Sequence, residues 1–209
     1  MAFVTRGLTD EDVRAGILPT TLTGTGVRVL IGGQPANLLY VSPTQINLLV
    51  PSNLIAGQFK LRVAINGRAG PEIPVVLEES VPQIFVWDGQ QAAATALDWT
   101  ALTVDSPAWT GQVVTVFATG LGRTVPDLPA NQLAQGPAEV ARIADFRVYA
   151  DGIAVNPKDV LYAGLTPGFA GLYQVSFVLP FCSSDRVEVR LGFEEPKSLP
   201  GVWVPCRGL

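Results

Sequence analysis

Two segments of this chain repeat the same order of residue types, and this repeat restricts the folds that the chain can adopt. In the first segment, Leu39-Tyr40-Val41 leads into a turn that is followed by Gln45-Ile46-Asn47. In the second, Leu161-Tyr162-Ala163 precedes Gln174-Val175-Ser176. Each segment combines an apolar–tyrosine pair, a turn, a glutamine, an alternating apolar run and a proline that ends the run. The repeat predicts two related β modules in tandem.

The spacing of glycine and proline favours many short strands. The chain of 209 residues has 21 glycines and 17 prolines spread along its length, which leaves little room for long helices. With 48% apolar and 15% charged residues, it is long and apolar enough for two packed cores. We therefore predict an all-β protein of two tandem Ig-like β-sandwich domains, a first module over residues 1–81 and a larger second module over residues 82–209.

Alternating apolar and polar residues predict individual strands. Residues 27–31, 58–65 and 186–191 alternate with a period of two, and the last two runs place charged residues on one face. Strands are also expected at 92–97 and 101–104. Three dipeptides are typical of tight hairpin turns, because their residues tolerate positive φ. They are Gly32-Gly33, Asn66-Gly67 and Asp151-Gly152.

Two short helices are compatible with the sequence. The first lies between Leu8 and Gly16, with Thr9 as N-cap and three acidic residues in its first turn. The second covers residues 137–143. Neither is long enough to change the fold class.

The first module is expected to lack part of its first strand. Residues 111–122 form a strand and a glycine-rich turn in the second module, whereas only Phe3-Val4-Thr5 with Gly7-Leu8 matches them in the first. An incomplete sandwich exposes a sheet edge that can pair with another chain, so this edge is predicted to be covered by a neighbouring domain or by a second copy in a homo-oligomer. The alternative is that the strand is simply short.

The chain resembles a bacterial family, the Solibacter uncharacterized C-terminal domain family, over about residues 18–193. The phrases that carry the resemblance are Leu18-Pro19-Thr20-Thr21-Leu22, the segment 39–51, Ala118-Thr119-Gly120-Leu121-Gly122 and the segment 162–174. The resemblance implies tandem Ig-like modules at the C-terminus of a secreted or surface protein, largely in Acidobacteria. It implies no catalytic or binding residues.

Composition argues against several functions. The chain has no histidine, which removes the usual general base and the commonest metal ligand, so we predict no enzyme activity and no cofactor. A net charge of −4 disfavours a nucleic-acid partner. The longest uncharged stretch, residues 29–59, contains glycines and prolines that a membrane-spanning helix would not carry. Calcium stays open, since several aspartates lie in predicted loops without the spacing of a known calcium loop.

The repeated polar residues have two interpretations. Gln45 and Asn47 lie two positions apart and so share one face of a strand, as do Gln174 and Ser176. They could form a polar ligand-binding face. Their repetition in both modules favours a structural role, in which the amides bond to the backbone of the adjacent turns.

The tryptophans also have two interpretations. Trp87, Trp99 and Trp109 could present a platform on which sugars stack, whereas tryptophan in Ig-like sandwiches is more often part of the core. The sequence favours core packing and keeps the ligand-facing role as an alternative.

The two cysteines and the lack of catalytic residues lead to one functional hypothesis. Cys182 and Cys206 flank a predicted strand, so a disulfide that clamps the terminal strand is expected, in keeping with an extracellular or cell-surface location. The alternative is a pair of free, buried thiols. No signal peptide is recognisable at the start of the sequence. The predicted function is a non-enzymatic interaction, spacer or anchoring module whose partner is a protein or a cell-surface glycan. The alternatives are a carbohydrate-binding module and a self-assembling surface or filament subunit.

Overall fold

The computed structural model describes residues 5–129 and 131–208, and it confirms the all-β class. Strands account for 47% of the chain and helix for 4%. The chain forms two compact units. The first consists of Met1–Glu79, Asp127–Gly136 and Pro167–Ala170, and the second of Ser80–Pro126, Pro137–Thr166 and Gly171–Leu209. The sequence did not indicate that two short later segments belong to the first unit.

Within the described residues, the first unit contains one helix and seven strands. The helix α1 is Asp10–Ala15, and the strands are β1 (Arg6–Gly7), β2 (Val27–Ile31), β3 (Gln34–Pro35), β4 (Asn37–Val41), β5 (Ile46–Leu49), β6 (Gly57–Ile65) and β7 (Arg68–Leu77).

Local sequence explains how these elements begin and end. Thr9 caps α1 as predicted, because its hydroxyl accepts a hydrogen bond from the Asp12 amide while the Asp12 carboxylate accepts one from the Thr9 amide. Gly16 ends the helix at a φ of 66°. The hairpin turn of Asn66 and Gly67 has φ values of 50° and 79°, the positive values that this two-residue turn requires.

The strands of the first unit form two sheets around a small core. One sheet has the order β1-β4-β5 and the other has the order β3-β2-β6-β7. Alternate side chains from both sheets meet in one apolar cluster, as expected for a sandwich. Its fully buried members are Leu22, Val27, Val29, Ile31, Ala36, Leu38 and Val41.

In the part of the chain that the structure describes, the second unit has thirteen strands and one turn of 3-10 helix at Pro157–Asp159. The strands are β8 (Gln83–Ile84), β9 (Ala94–Ala96), β10 (Ala108–Trp109), β11 (Val113–Thr119), β12 (Thr124–Val125), β13 (Ala138–Val140), β14 (Phe146–Ala150), β15 (Ile153–Ala154), β16 (Val160–Leu165), β17 (Tyr173–Val178), β18 (Arg186–Phe193), β19 (Glu195–Pro196) and β20 (Trp203–Arg207).

The second unit has a larger core between two sheets. One sheet runs β12-β13-β16-β17-β11-β8, with β9 also paired to β11, and the other runs β10-β20-β18-β14-β15, with β19 paired to β18. Inward residues such as Val116, Phe177 and Val189 are completely buried between the sheets. The pairing is antiparallel except between β10 and β20. The predicted strands at 27–31, 58–65 and 186–191 are present as β2, β6 and β18.

Two local predictions are wrong. Residues 137–143 were expected to be helical but contain β13, because Ala138 and Glu139 pair with β16 and the burial alternates. A segment this short has little helical stability of its own, so sheet pairing prevails. Residues 101–104 do not form a strand: Ala101 makes one bridge, and reciprocal backbone bonds between Thr103 and Ser106 then close a turn. The expected strand at 92–97 is reduced to β9.

The start of the first unit differs from the expected remnant strand. Phe3 and Val4 lie outside the described residues, so the predicted truncation stays a prediction there. Arg6 and Gly7 pair with β4, on the side of the sheet opposite to β5. In the second unit, β11 pairs with β17. Gly7 therefore does not occupy the position that the match with residues 111–122 predicted.

Candidate functional site

The repeated sequence segments form hairpins with the same register. In the hairpin β4–β5, Tyr40 lies opposite Asn47, and in β16–β17, Tyr162 lies opposite Ser176. In each hairpin, the residue before the tyrosine is an extra residue that interrupts the ladder of backbone pairs. This residue is Leu39 in β4 and Leu161 in β16. Such bulges aim the following side chains. The sequence match is therefore also a match of backbone geometry.

A second pair of hairpins matches as well. The hairpin β2–β3 turns through Gly32 and Gly33, and β14–β15 turns through Asp151 and Gly152, with positive φ at all four residues. In both hairpins, the residue after the second strand donates a backbone hydrogen bond to a carbonyl of the first strand. The donor is Ala36 in the first unit and Val155 in the second. Strands β6 and β18 pair with β2 and β14 in equivalent registers.

The polar residues of β5 bond to each other. Gln45 Nε2 donates to Asn47 Oδ1 at 2.6 Å, as expected for two residues on one face. The Gln45 side-chain amide was predicted to bond to the backbone of the Ser42-Pro43 turn, but it bonds to Asn47 instead. The turn is held by Ser42, whose hydroxyl accepts hydrogen bonds from the backbone amides of Thr44 and Gln45.

The corresponding polar residues of β17 are more enclosed. The hydroxyl groups of Ser176 and Thr115 lie 2.7 Å apart across the β11–β17 pair. Gln174 Oε1 and Thr95 Oγ1 are buried on the same face of the sheet and have no hydrogen-bond partner among residues 5–129 and 131–208. Sequence analysis missed Thr95 and Thr115, since no pattern marks a threonine that faces a neighbouring strand.

The hydroxyl of Tyr162 makes two hydrogen bonds to the backbone at the end of the β16–β17 hairpin. It donates to the Leu165 carbonyl and accepts from the Ala138 amide, at 2.9 and 3.2 Å. Burial raises the pKa of Tyr162 above its ordinary value. A Cβ at Gly164 would overlap the backbone carbonyl oxygen of Ala138 and lie 2.6 Å from the tyrosine oxygen, so only glycine fits there. Gly164 stands inside a strand, and this position was the available indication of a close approach.

Strand β5 has an open edge. The counterpart of β5 is β17, which is flanked by β16 and β11. β5 has β4 on one side and, within the described part of the chain, no strand on the other. This edge has no charged side chain from Ile46 to Val50. An uncharged, apolar sheet edge is a typical site of strand pairing.

The inward side chains of β5, which lacks a second neighbouring strand in the described part of the chain, are less buried than those of β17. Val175 and Phe177, the inward residues of β17, are both 0% exposed. Ile46 and Leu48 occupy the same positions in β5 and pack against the first core, but both are only partly buried. Because the two hairpins share their register, the difference follows from what lies beside them.

Three tryptophans are on the surface. Trp87, Trp99 and Trp109 are 62%, 63% and 47% exposed, so the favoured core interpretation is wrong for them. Trp99 has a φ of 66° in a turn after β9, and its ring stacks on Phe117 with 6.4 Å between centroids and 23° between planes. All three belong to the second unit.

Arginines lie over two indole rings near the disulfide. The guanidinium carbon of Arg207 is 5.4 Å from the ring centroid of Trp109, and that of Arg186 is 5.3 Å from the centroid of Trp203. Each exposed pair of this kind contributes about 0.5–1 kcal/mol. These contacts give the outer face of β10 and β20 a fixed arrangement of aromatic and cationic groups.

The predicted disulfide is present. Cys182 and Cys206 are bonded, their Cα atoms lie 6.3 Å apart, and both residues are buried. Cys206 lies in β20, so the bond ties the last strand to the segment after β17. A closed loop of this kind lowers the entropy of the unfolded chain.

Charged groups occur on the outer face of β6 and β7. Lys60 contacts the Glu72 carboxylate at 2.7 Å, and Arg62 also pairs with it. The hydrogen bond from Lys60 lowers the pKa of Glu72, and nearby Arg62 adds to the effect. The pair is exposed to solvent, so it ties two strands with little net stabilisation.

Residues 5–129 and 131–208 contain no group of three or more potential metal ligands from cysteine, aspartate and glutamate. In the same ranges, no helix has the length and apolarity needed to cross a bilayer. No protein-family model matches the chain, and no curated protein matches it.

Proposed function

We propose that this chain is a non-enzymatic interaction or spacer module of a secreted or surface-attached bacterial protein, built from two Ig-like sandwiches in tandem. The matched hairpins support the relation between the modules. The buried disulfide supports an extracellular location, since such bonds persist in oxidising compartments. The resemblance to the Solibacter uncharacterized C-terminal domain family supports the same location.

The exposure of Trp87, Trp99 and Trp109 is the observation that carries the proposal. A tryptophan on the surface leaves a large apolar area in water, and exposed aromatic residues mark binding surfaces and dominate their energy. Because these three residues lie outside the buried core of the second unit, their exposed faces are available to a partner.

Binding to intact cells of an acidobacterium, the group that the resemblance implies, tests the proposal. The fluorescently labelled chain is compared with a triple variant, W87S/W99S/W109S, and with a control variant at the exposed Phe181 and Leu199, F181S/L199S. We expect the half-saturating concentration of the triple variant to rise at least about 30-fold, since the loss of one anchor residue already costs about 2 kcal/mol or more. Equal binding by all three proteins, or none by any, would contradict the proposal.

A carbohydrate-binding module is the second candidate, and the stacked pair of Trp99 and Phe117 favours it. An exposed indole that is fixed on a second ring can stack on a sugar face. Titration with cell-surface polysaccharide fragments should then quench tryptophan fluorescence to saturation, and Trp99→Ser should abolish the change. Quenching that is equal in Trp99→Ser would reject this site.

A further inference from the structure

We infer that the open edge of β5 in the first unit binds an extended polypeptide segment of a partner protein, which adds antiparallel to β5 and places apolar residues opposite Ile46 and Leu48. The inference rests on the proposed role as an interaction module and names the partner class for a surface other than the tryptophans.

The first step is that, in the second unit, strand β11 occupies the position beside β17 that is open beside β5. β11 runs antiparallel to β17 and places Val116 opposite Val175 and Val114 opposite Phe177. All four of these side chains are 0% exposed. Since β5 and β17 have the same place and register in their hairpins, a strand like β11 would complete the first unit in the same way.

The second step concerns the backbone groups of β5. The Ser42 amide donates to the Gln45 carbonyl at 2.8 Å, which closes the hairpin. In an antiparallel ladder the bonded residues alternate, so Asn47 bonds towards β4 while Ile46 and Leu48 direct their N–H and C=O groups to the open side. These groups are the ones that an added strand would pair with.

The third step compares the edges of the first unit. β1 and β3 contain two residues each, and β3 includes Pro35. β7 is long but carries Pro71 and Pro74, which have no amide to donate, and the charged Glu72. Short, proline-containing and charged edges resist pairing with another chain. Among the described edges of this unit, β5 alone has none of these features.

The fourth step defines the chemistry of the partner. The added segment must be extended, and it needs apolar, preferably β-branched residues at alternate positions to cover Ile46 and Leu48. Its other face meets the exposed Asn47 and can be polar. The sequence of β11, with valine at alternate positions and threonine between them, meets both requirements.

The test uses the full chain and a fluorescein-labelled peptide with the sequence of residues 112–120. A peptide with proline in place of Val116 is the matched control. We expect saturable binding of the first peptide by anisotropy and at least tenfold weaker binding of the second. Val50→Pro, which removes the next donor on the open side, should weaken binding by a similar factor, whereas Val50→Thr should not.

Amide hydrogen exchange by NMR locates the bound peptide without any variant. Exchange at Ile46 and Leu48 should slow at least tenfold on binding, while Asn47 and Leu49, which already face β4, should change little. Absence of peptide binding, or protection elsewhere, overturns the inference. A dimer that protects Ile46 and Leu48 without peptide also overturns it and assigns the edge to a second copy. Cell binding through the tryptophans is measured separately, so failure of the peptide leaves the proposed function standing.

Discussion

The hairpins β4–β5 and β16–β17 have one backbone design and two different surroundings. Their registers and bulges agree, yet Phe177 is fully buried and Leu48, its counterpart, is only partly buried. The neighbour strand β11 accounts for the difference. The comparison teaches that a repeated segment determines a hairpin, whereas the burial of that hairpin depends on strands that the repeat does not include.

The largest expected effect comes from truncating the inward residue in each hairpin. Phe177→Ala should cost about 3–5 kcal/mol of unfolding free energy, because it leaves a cavity in a closed core. Leu48→Ala should cost about 1–2 kcal/mol, because part of that side chain is already in water. Equal losses would break the comparison.

Urea denaturation followed by two signals measures both variants. All four tryptophans lie in the second unit, so their fluorescence reports the unfolding of that unit, whereas far-UV circular dichroism reports both units. The fluorescence transition should move for Phe177→Ala and stay in place for Leu48→Ala.

Removing the disulfide should also affect only the second unit. The double variant C182S/C206S opens a loop with a sequence separation of 24 residues, for which the chain-entropy model gives about 3.5 kcal/mol. The fluorescence transition should shift by this amount, and reduction of the unmodified protein should reproduce the shift. A shift in the first unit would show that the two transitions are not independent.

Gly164 and Ser42 occupy equivalent positions in the two hairpins. Gly164→Ser should cost about 1–3 kcal/mol, since the new Cβ would overlap the Ala138 carbonyl oxygen as well as the Tyr162 oxygen. Ser42→Ala should cost about 0.5–1.5 kcal/mol, because it removes only the hydroxyl that accepts from Gln45 and Thr44. Thermal unfolding measures both, and a harmless Gly164→Ser would show that both the backbone at Ala138 and the Tyr162 side chain can shift.

The smallest expected effect is the response to alkaline pH. The pKa of Tyr162 is raised in the folded state, so the protonated form stabilises the fold. Its contribution is fully present below the ordinary tyrosine pKa of about 10 and is lost as pH rises through the higher folded pKa. Tyr162→Phe should therefore flatten the pH dependence of the second unit's unfolding free energy above about pH 10. The same slope in both proteins would contradict this assignment.

The sequence indicated the strands and turns where a local pattern was strong. Asn66-Gly67 and Asp151-Gly152 are hairpin turns because their backbone needs positive φ, and β18 alternates because one of its faces is buried. The spacing of the two cysteines along a predicted strand also sufficed to indicate their bond.

Long-range pairing explains what sequence analysis did not predict. Ala138 lies in a strand because β16 is beside it, and Thr115 faces Ser176 across a separation of 61 residues. The exposure of Trp99 depends on a turn whose positive φ is rare for a large side chain. None of these features has a periodic pattern in the chain itself.

The prolines of β7 limit how many molecules the first unit can join. A filament built by strand exchange needs an acceptor and a donor edge on each subunit, so that growth can continue. With Pro71 and Pro74 in one edge and two-residue strands at two others, the described part of this unit offers a single place for addition. Pairing through the described edges of the first unit would then stop after one event, so this unit by itself does not supply both edges that a growing polymer needs.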